Sequence, residues 1–210
     1  MENFVIKRLN SYDREKVLEH FLRLDSDSIY SRFCAPFREE AIKRHVDRIN
    51  FDENGIYGIF NDELEVIGVG ECVVTSNNGA EIGFSVEPKY QGNGLGGKLM
   101  KRMVRFAKSQ NKDHLEMMCL RTNQKSVHLA KKFGLQVKND AGESFAIINM
   151  DNNKPELENF NEKVEDTLAY YTLKHKEQLK NWRHGQELIA ETMGKAVTST
   201  IELMKPKFFR

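Results

Sequence analysis

The spacing of apolar residues along the first quarter of the chain is mostly helical. After a short alternating segment at Phe4 to Arg8, apolar residues recur every three or four positions as far as Ile49. This spacing predicts one helix ending near Leu24, a short one from Asp25 toward Phe33, and a third over residues 38–49. We therefore expect a strand followed by three helices.

The pattern changes to that of a sheet from residue 55 onward. Three segments between Gly55 and Val86 are rich in β-branched and aromatic residues and are separated by turn sequences, which predicts an antiparallel meander. After a glycine-rich loop, the chain is predicted to form a helix at 94–110, a strand at 114–120, a helix at 124–133 and a strand near 144–150. Antiparallel strands followed by a strand-loop-helix-strand unit predict an α+β domain with a mixed sheet.

The character shifts again after residue 150. One helical stripe of apolar residues runs from Leu157 to Trp182 and a second from Ile189 to Met204, with Arg183-His184-Gly185 as a turn between them. The pattern predicts a domain over residues 1–150 and a C-terminal helical hairpin within residues 151–210. The stripes either pack on the first domain and on each other, or form a homodimer or partner interface.

Composition excludes several classes of protein. The 210 residues are 40% apolar and 30% charged with a net charge of +1, so we expect a soluble globular protein that binds neither nucleic acid nor membrane. No apolar run could span a bilayer and the first residues lack a secretory pattern, which predicts a cytoplasmic protein. The three cysteines have no metal-ligand spacing, and we expect no metal.

The stretch QGNGLGGKL at residues 91–99 fits several phosphate-loop patterns. A triphosphate loop needs Ser or Thr after its lysine to bind magnesium, but Leu99 follows Lys98. A dinucleotide loop follows its strand directly and is completed by an acid after the next strand, whereas five residues separate Val86 from Gly92 and the strand at 114–120 ends in Arg121-Thr122. What is left is a loop whose backbone N–H groups bind a diphosphate at the start of a helix.

A set of motifs in fixed order resembles the GNAT family of acyl-CoA-dependent N-acetyltransferases. The motifs are the strand AEIGFSV at 80–86, the loop as Q-x-x-G-x-G, the strand to Leu120, Asn123, and Phe133-Gly134-Leu135. The resemblance implies a mixed sheet splayed open by its cofactor, with acetyl-CoA as co-substrate. It assigns pyrophosphate binding to the loop residues Gln91, Gly92, Asn93, Gly94, Leu95, Gly96 and Gly97.

The same resemblance assigns the rest of the donor site. Phe84, Ser85 and Val86 would pair their main chain with the pantetheine arm as an added strand does. Asn123 would hydrogen-bond the cofactor, although capping the following helix explains it as well, and both roles are compatible.

Acetylation of an amine requires a base, and two glutamates are candidates. Glu81 lies in an A-E-x-x-F-x-V strand similar to that of Pat-type protein lysine acetyltransferases, where the glutamate acts through water; the Y-x-R-F element at residues 30–33 is similar to that branch as well. Glu71 shares a strand face with Val69 and Val73, so it should be buried with a raised pKa. The tyrosine that many family members use to protonate the thiolate is replaced by Ala130.

Two functions from different classes follow. The first is acetyl transfer from acetyl-CoA to a primary amine, either a protein lysine or a small molecule, with Glu81 as the base. The second is a catalytically silent acyl-CoA-binding module, which the missing tyrosine and the C-terminal segment favour. The acceptor is not encoded in a recognisable motif.

Overall fold

The structure is a computed structural model that describes residues 4–140, 143–149 and 155–204, with side chains described over 4–137 and 161–195. The helices are α1 (Arg14–Arg23), α2 (Ser26–Phe33), α3 (Glu39–Asp47), α4 (Leu95–Ser109), α5 (Gln124–Lys132) and α6 (Pro155–Met204). The strands are β1 (Val5–Arg8), β2 (Gly55–Phe60), β3 (Val66–Val74), β4 (Gly79–Val86), β5 (His114–Leu120), β6 (Gln136–Asp140) and β7 (Glu143–Asn149).

The strands form one mixed sheet in the order β1-β2-β3-β4-β5-β7-β6. The first four strands are antiparallel neighbours, β4 and β5 are parallel, and β7 pairs antiparallel with both β5 and β6. The predicted α+β class with a mixed sheet is confirmed. Strand β6 was not predicted, because Gln136–Asp140 is mostly polar and lacks an alternating apolar pattern.

Helices cover both faces of the sheet. On the α4 face, Leu99, Met103 and Phe106 pack into a core with Ile82 and Leu115. On the α1–α3 face, residues of α1 and α3 such as Phe21 and Val46 form a second core with Val69. Since neighbouring residues of a strand point to opposite faces, β4 sends Ile82 toward α4 and Glu81, Gly83 and Ser85 toward the other face.

The predicted C-terminal hairpin is wrong, because α6 is one continuous helix through Arg183-His184-Gly185. A glycine inside a helix costs only about 1 kcal/mol relative to alanine, and the flanking segments are rich in helix-forming residues. The predicted domain boundary at residues 150 and 151 lies outside the described residues.

Helix α6 packs against α4 and the outer edge of β1. Asp166 accepts the backbone N–H of Arg8 at 3.0 Å, so the helix covers part of an edge strand that would otherwise expose unpaired groups. The buried Arg102 of α4 bonds to both Glu165 and Asp166. The first part of α6 is therefore fixed to the domain by buried and half-buried polar contacts.

Within the described residues, no helix is long and apolar enough to cross a membrane. The same part of the chain holds no cluster of three or more histidine, cysteine, aspartate or glutamate side chains arranged to bind a metal ion.

Candidate active site

Strands β4 and β5 separate in the middle of the sheet. Their parallel pairing runs only from Gly79 opposite His114 to Ile82 opposite Met117. Beyond Ile82, β4 stays paired with β3 as far as Val86, while β5 stays paired with β7 as far as Leu120. The sheet therefore opens into a V-shaped cleft whose vertex lies at Ile82 and Gly83.

The β4 side of this cleft is the segment predicted to hold the pantetheine arm. Phe84, Ser85 and Val86 face β5 without pairing to it, so one edge of their backbone is free of strand hydrogen bonds. An extended ligand can add to such an edge as a strand does. At the far end, the Gln91 side chain donates to the Val86 carbonyl at 3.0 Å, which ties the free edge to the following loop.

The glycine loop leads from this edge into the N-terminus of α4. Gly92 and Gly94 have φ of +83° and +72°, and side chains built on them would point into open space. These are left-handed conformations that glycine adopts without steric cost. Gly94 caps α4 with no side chain, so the first-turn N–H groups are left for an anion.

The loop contacts the start of α5, where the other predicted donor residue lies. The Lys125 ammonium donates to the side-chain amide oxygen Oε1 of Gln91 at 3.0 Å. Asn123 caps α5 by accepting the Ser126 N–H at 3.1 Å, so the capping interpretation of Asn123 is confirmed. The structure thus brings Gln91, the glycines and Asn123 to one end of the cleft, and it adds Lys125, which no motif indicated.

A buried polar chain anchors β4 to α1. His20 is fully buried, and its Nε2 lies 2.8 Å from Ser85 Oγ. Burial lowers the pKa of His20, so the ring is neutral at physiological pH. On the same helix, Arg23 donates to Glu87 at 2.9 Å. These contacts fix the free edge of β4, and sequence reasoning missed them because α1 and β4 are far apart in the chain.

Glu71 is buried as predicted, but its surroundings are opposite to those expected. Arg32 Nη2 lies 2.6 Å from its Oε1, and His45 Nε2 lies 3.1 Å from both carboxylate oxygens. Burial alone would raise the pKa of Glu71, yet Arg32 and His45 outweigh it and lower this pKa to about 2. The predicted raised pKa is wrong, and a carboxylate that holds its charge so strongly is a weak base.

Glu81 lies on the same face of the sheet as Glu71, on the neighbouring strand β4. It pairs with Val73 on β3 and with Glu116 on β5, and its side chain is exposed. In the strand register Glu71 is opposite Gly83, so the two glutamates are diagonal neighbours about 7–8 Å apart. The carboxylates of exposed Glu81 and half-exposed Glu116 lie side by side where β4 and β5 are still paired, just before the cleft opens, and they form an acidic floor there.

The residue at the position of the missing tyrosine cannot act as an acid. Ala130 is fully buried in the core between α5 and the sheet. His128, on the same helix, is exposed.

Comparison with known proteins agrees with this geometry. Residues 24–135 match the model of the acetyltransferase (GNAT) family, which is more than half of the 210 residues. The chain belongs to the GNAT family of acetyltransferases, and the resemblance seen in the sequence is confirmed. No curated protein sequence is significantly similar to it.

Solved structures share the fold at low sequence identity. The GNAT domain of S. lividans PAT has a TM-score of 0.60 and 17% identity, over 69% of this chain and 89% of that one. An N-acetyltransferase from Staphylococcus aureus Mu50 has a TM-score of 0.57 and 16% identity, over 70% and 98%. A phosphinothricin acetyltransferase from Sinorhizobium meliloti in complex with AcCoA has a TM-score of 0.57 and 13% identity, over 70% and 88%.

Proposed function

We propose that this protein transfers an acetyl group from acetyl-CoA to a primary amine. The observation that carries the proposal is the V-shaped cleft, where a free strand edge at Phe84 to Val86 leads directly into an uncapped helix N-terminus at Gly94. The edge fits an extended pantetheine arm and the helix N-terminus fits a diphosphate. Acetyl-CoA combines these two groups, and one of the structures with this fold contains it.

The amine has to lose a proton as it attacks the thioester, and Glu81 is our candidate for the base. Its exposed carboxylate lies two residues before Gly83, on the sheet face that is open beside α2. A water molecule between the carboxylate and the amine completes the proton transfer. The ion pair of Glu71 with Arg32 and its hydrogen bonds with His45 argue against this second candidate.

The acidic floor favours a cationic acceptor. Before it is deprotonated, a primary amine carries a positive charge that the carboxylates of Glu81 and Glu116 can attract. His114 lies 3.2 Å from Glu116 and borders the same floor. Protein lysines and small-molecule amines both meet this description, and no metal takes part in the proposed reaction.

The test is a panel of primary amines incubated with acetyl-CoA and the full chain, while free thiol release is followed. We expect release that depends on an amine and saturates with acetyl-CoA. Calorimetry with CoA is run in parallel, because the competing hypothesis is a silent acyl-CoA-binding module. Binding of CoA without turnover on any amine would contradict the proposed reaction and support that module.

A further inference from the structure

The guanidinium of Arg32 lies at the vertex of the cleft. Helix α2, which carries Arg32, packs against both β4 and β5 where they begin to separate. The Arg32 Nη1, Cζ and Nη2 atoms lie so close to Gly83 that any side chain at that position would overlap them. Gly83 directly follows the last residue of β4 that pairs with β5. A fixed positive charge therefore sits where the two strands part.

This side chain is held on three sides. Nη2 donates to Glu71 at 2.6 Å, and the guanidinium carbon lies 4.8 Å from the centre of the Phe33 ring. Phe33 in turn stacks on Phe37 at a centroid distance of 4.3 Å. Only 12% of the Arg32 side chain is exposed, so the guanidinium is preorganised before any ligand arrives.

Arg32 has donor capacity that the protein does not use. Its Nε is buried and has no hydrogen-bond partner among the described residues. A buried unsatisfied donor costs about 1–3 kcal/mol, which is a cost that a functional site can explain. A ligand strand added to β4 would run about 4.8 Å from it, so ligand atoms level with Gly83 come within reach of the guanidinium.

The proposed reaction creates negative charge at that level. When the amine nitrogen forms its bond to the thioester carbon, the carbonyl oxygen becomes negative; when the carbon–sulfur bond breaks, the charge leaves with the sulfur. The amine proton goes to Glu81 through water. At the position of the family's tyrosine, the buried Ala130 has no proton to donate to the departing thiolate.

We propose that Arg32 is a catalytic residue whose guanidinium stabilises the departing CoA thiolate. The thiolate leaves as an anion paired with the guanidinium and takes up a proton from solvent after it leaves the cleft. This inference rests on the proposed function, since it takes CoA as the leaving group. It assigns a reaction role to the arginine of the Y-x-R-F element.

The test compares two variants that differ only at Arg32. Glu71→Gln removes the buried carboxylate and keeps Arg32, whereas Arg32→Gln/Glu71→Gln removes the whole pair and leaves no unpaired buried charge. CoA is bound to each variant and to the wild type, and the thiol is titrated by the ultraviolet absorbance of its thiolate. Arg14→Gln is the matched control. The Arg14 guanidinium also lies over an aromatic ring, 4.9 Å from the centre of Phe51, but it connects the start of α1 to Val46 of α3 instead of lining the cleft.

We expect the thiol of bound CoA to ionise at least about one pH unit lower in wild type and Glu71→Gln than in the double variant, a tenfold difference in thiolate stability. The kcat for acetyl transfer should fall about 10- to 100-fold from Glu71→Gln to the double variant, with KM for acetyl-CoA changed less than about threefold. Arg14→Gln should titrate like the wild type.

Identical thiol titrations in Glu71→Gln and the double variant would overturn the role of Arg32. This readout does not require turnover. If the wild type binds CoA but acetylates no amine, the proposed function fails, while the titration still decides whether Arg32 stabilises a thiolate.

Discussion

A carboxylate buried beneath a sheet keeps its charge only when it is paired, and Glu71 is paired twice. Desolvation opposes its ionisation, but the cation of Arg32 and the N–H of His45 stabilise it more strongly. Since an ionised carboxylate only accepts hydrogen bonds, His45 Nε2 carries the proton. Glu71 therefore holds Arg32 and His45 in place and links α2 and α3 to β3.

This pairing makes the protein sensitive to acid through Glu71. The pKa of Glu71 is lowered from 4.5 to about 2 on folding, so its stabilisation is complete above about pH 4.5 and is lost as pH falls toward 2. We expect the wild type to lose about 3 kcal/mol more free energy of unfolding than Glu71→Gln between about pH 5 and pH 2. Urea unfolding over this pH range measures the difference.

A matched control for this prediction is Glu39→Gln. Glu39 pairs with Lys43 at 2.6 Å, but both side chains are at least half exposed. Removing such a surface pair should change the acid dependence little. Equal slopes for Glu71→Gln and the wild type would show that Glu71 is not held ionised in the folded state.

Strand alternation was enough to place Glu71 on a buried face, but not to predict its charge state. Its partners Arg32 and His45 lie 39 and 26 residues away in the chain. Burial is a local property of a strand pattern, whereas ion pairing depends on how helices pack across a sheet. For the same reason the sequence indicated Gln91 and Gly94 but not Lys125 or His20.

At the scale of elements, local signals predicted the strands and the helix that border the cleft. The turn sequences between Gly55 and Val86 and the glycine loop are short-range features, and β2 to β4 and α4 lie where they indicated. The separation of β4 from β5 followed from family resemblance alone. The hairpin prediction is wrong because it treated Gly185 as the end of a helix. The helix propensity of the neighbouring residues is sufficient to continue α6 through this glycine.

Helix α6 should depend on Asp166 for its docking. The side chain accepts the Arg8 N–H and bonds to Arg102, which is only 5% exposed. Asp166→Ala removes the acceptor of the Arg8 N–H and one of the two carboxylates bonded to the Arg102 guanidinium. We expect this change to lower the free energy of unfolding by about 2 kcal/mol. Chemical denaturation followed by the fluorescence of Trp182 and by circular dichroism measures this loss.

Glu191→Ala is the comparison for that variant. Glu191 lies on the same helix and pairs with Lys195 at 2.6 Å on an exposed surface. Its loss should cost less than about 0.5 kcal/mol. If the two variants were equally stable, α6 would not be held to the domain through Asp166.

In the whole molecule, the cleft proposed for the acetyl donor, the proposed base Glu81 and the cation of Arg32 lie next to one another in the sheet. The donor cleft opens at Gly83, Arg32 lies above it, and Glu81 is exposed on the adjoining floor. Far from this site, α6 exposes a stripe that includes Leu168, Tyr171, Trp182, Ile189 and Met193. A homodimer through the C-terminal segment, one of the alternatives for its apolar residues, stays a prediction, and this stripe is the surface available for it.

The most direct measurement is the rate of CoA release from acetyl-CoA by the full chain with an accepted amine, for wild type and Glu81→Gln, between about pH 6 and pH 9. We expect amine-dependent release in the wild type and a fall of about 10²- to 10⁴-fold in the variant, with acetyl-CoA binding unchanged. Release by Glu81→Gln at the wild-type rate across this range would contradict the assignment of the base. Failure of the wild type to acetylate any amine would contradict the reaction itself.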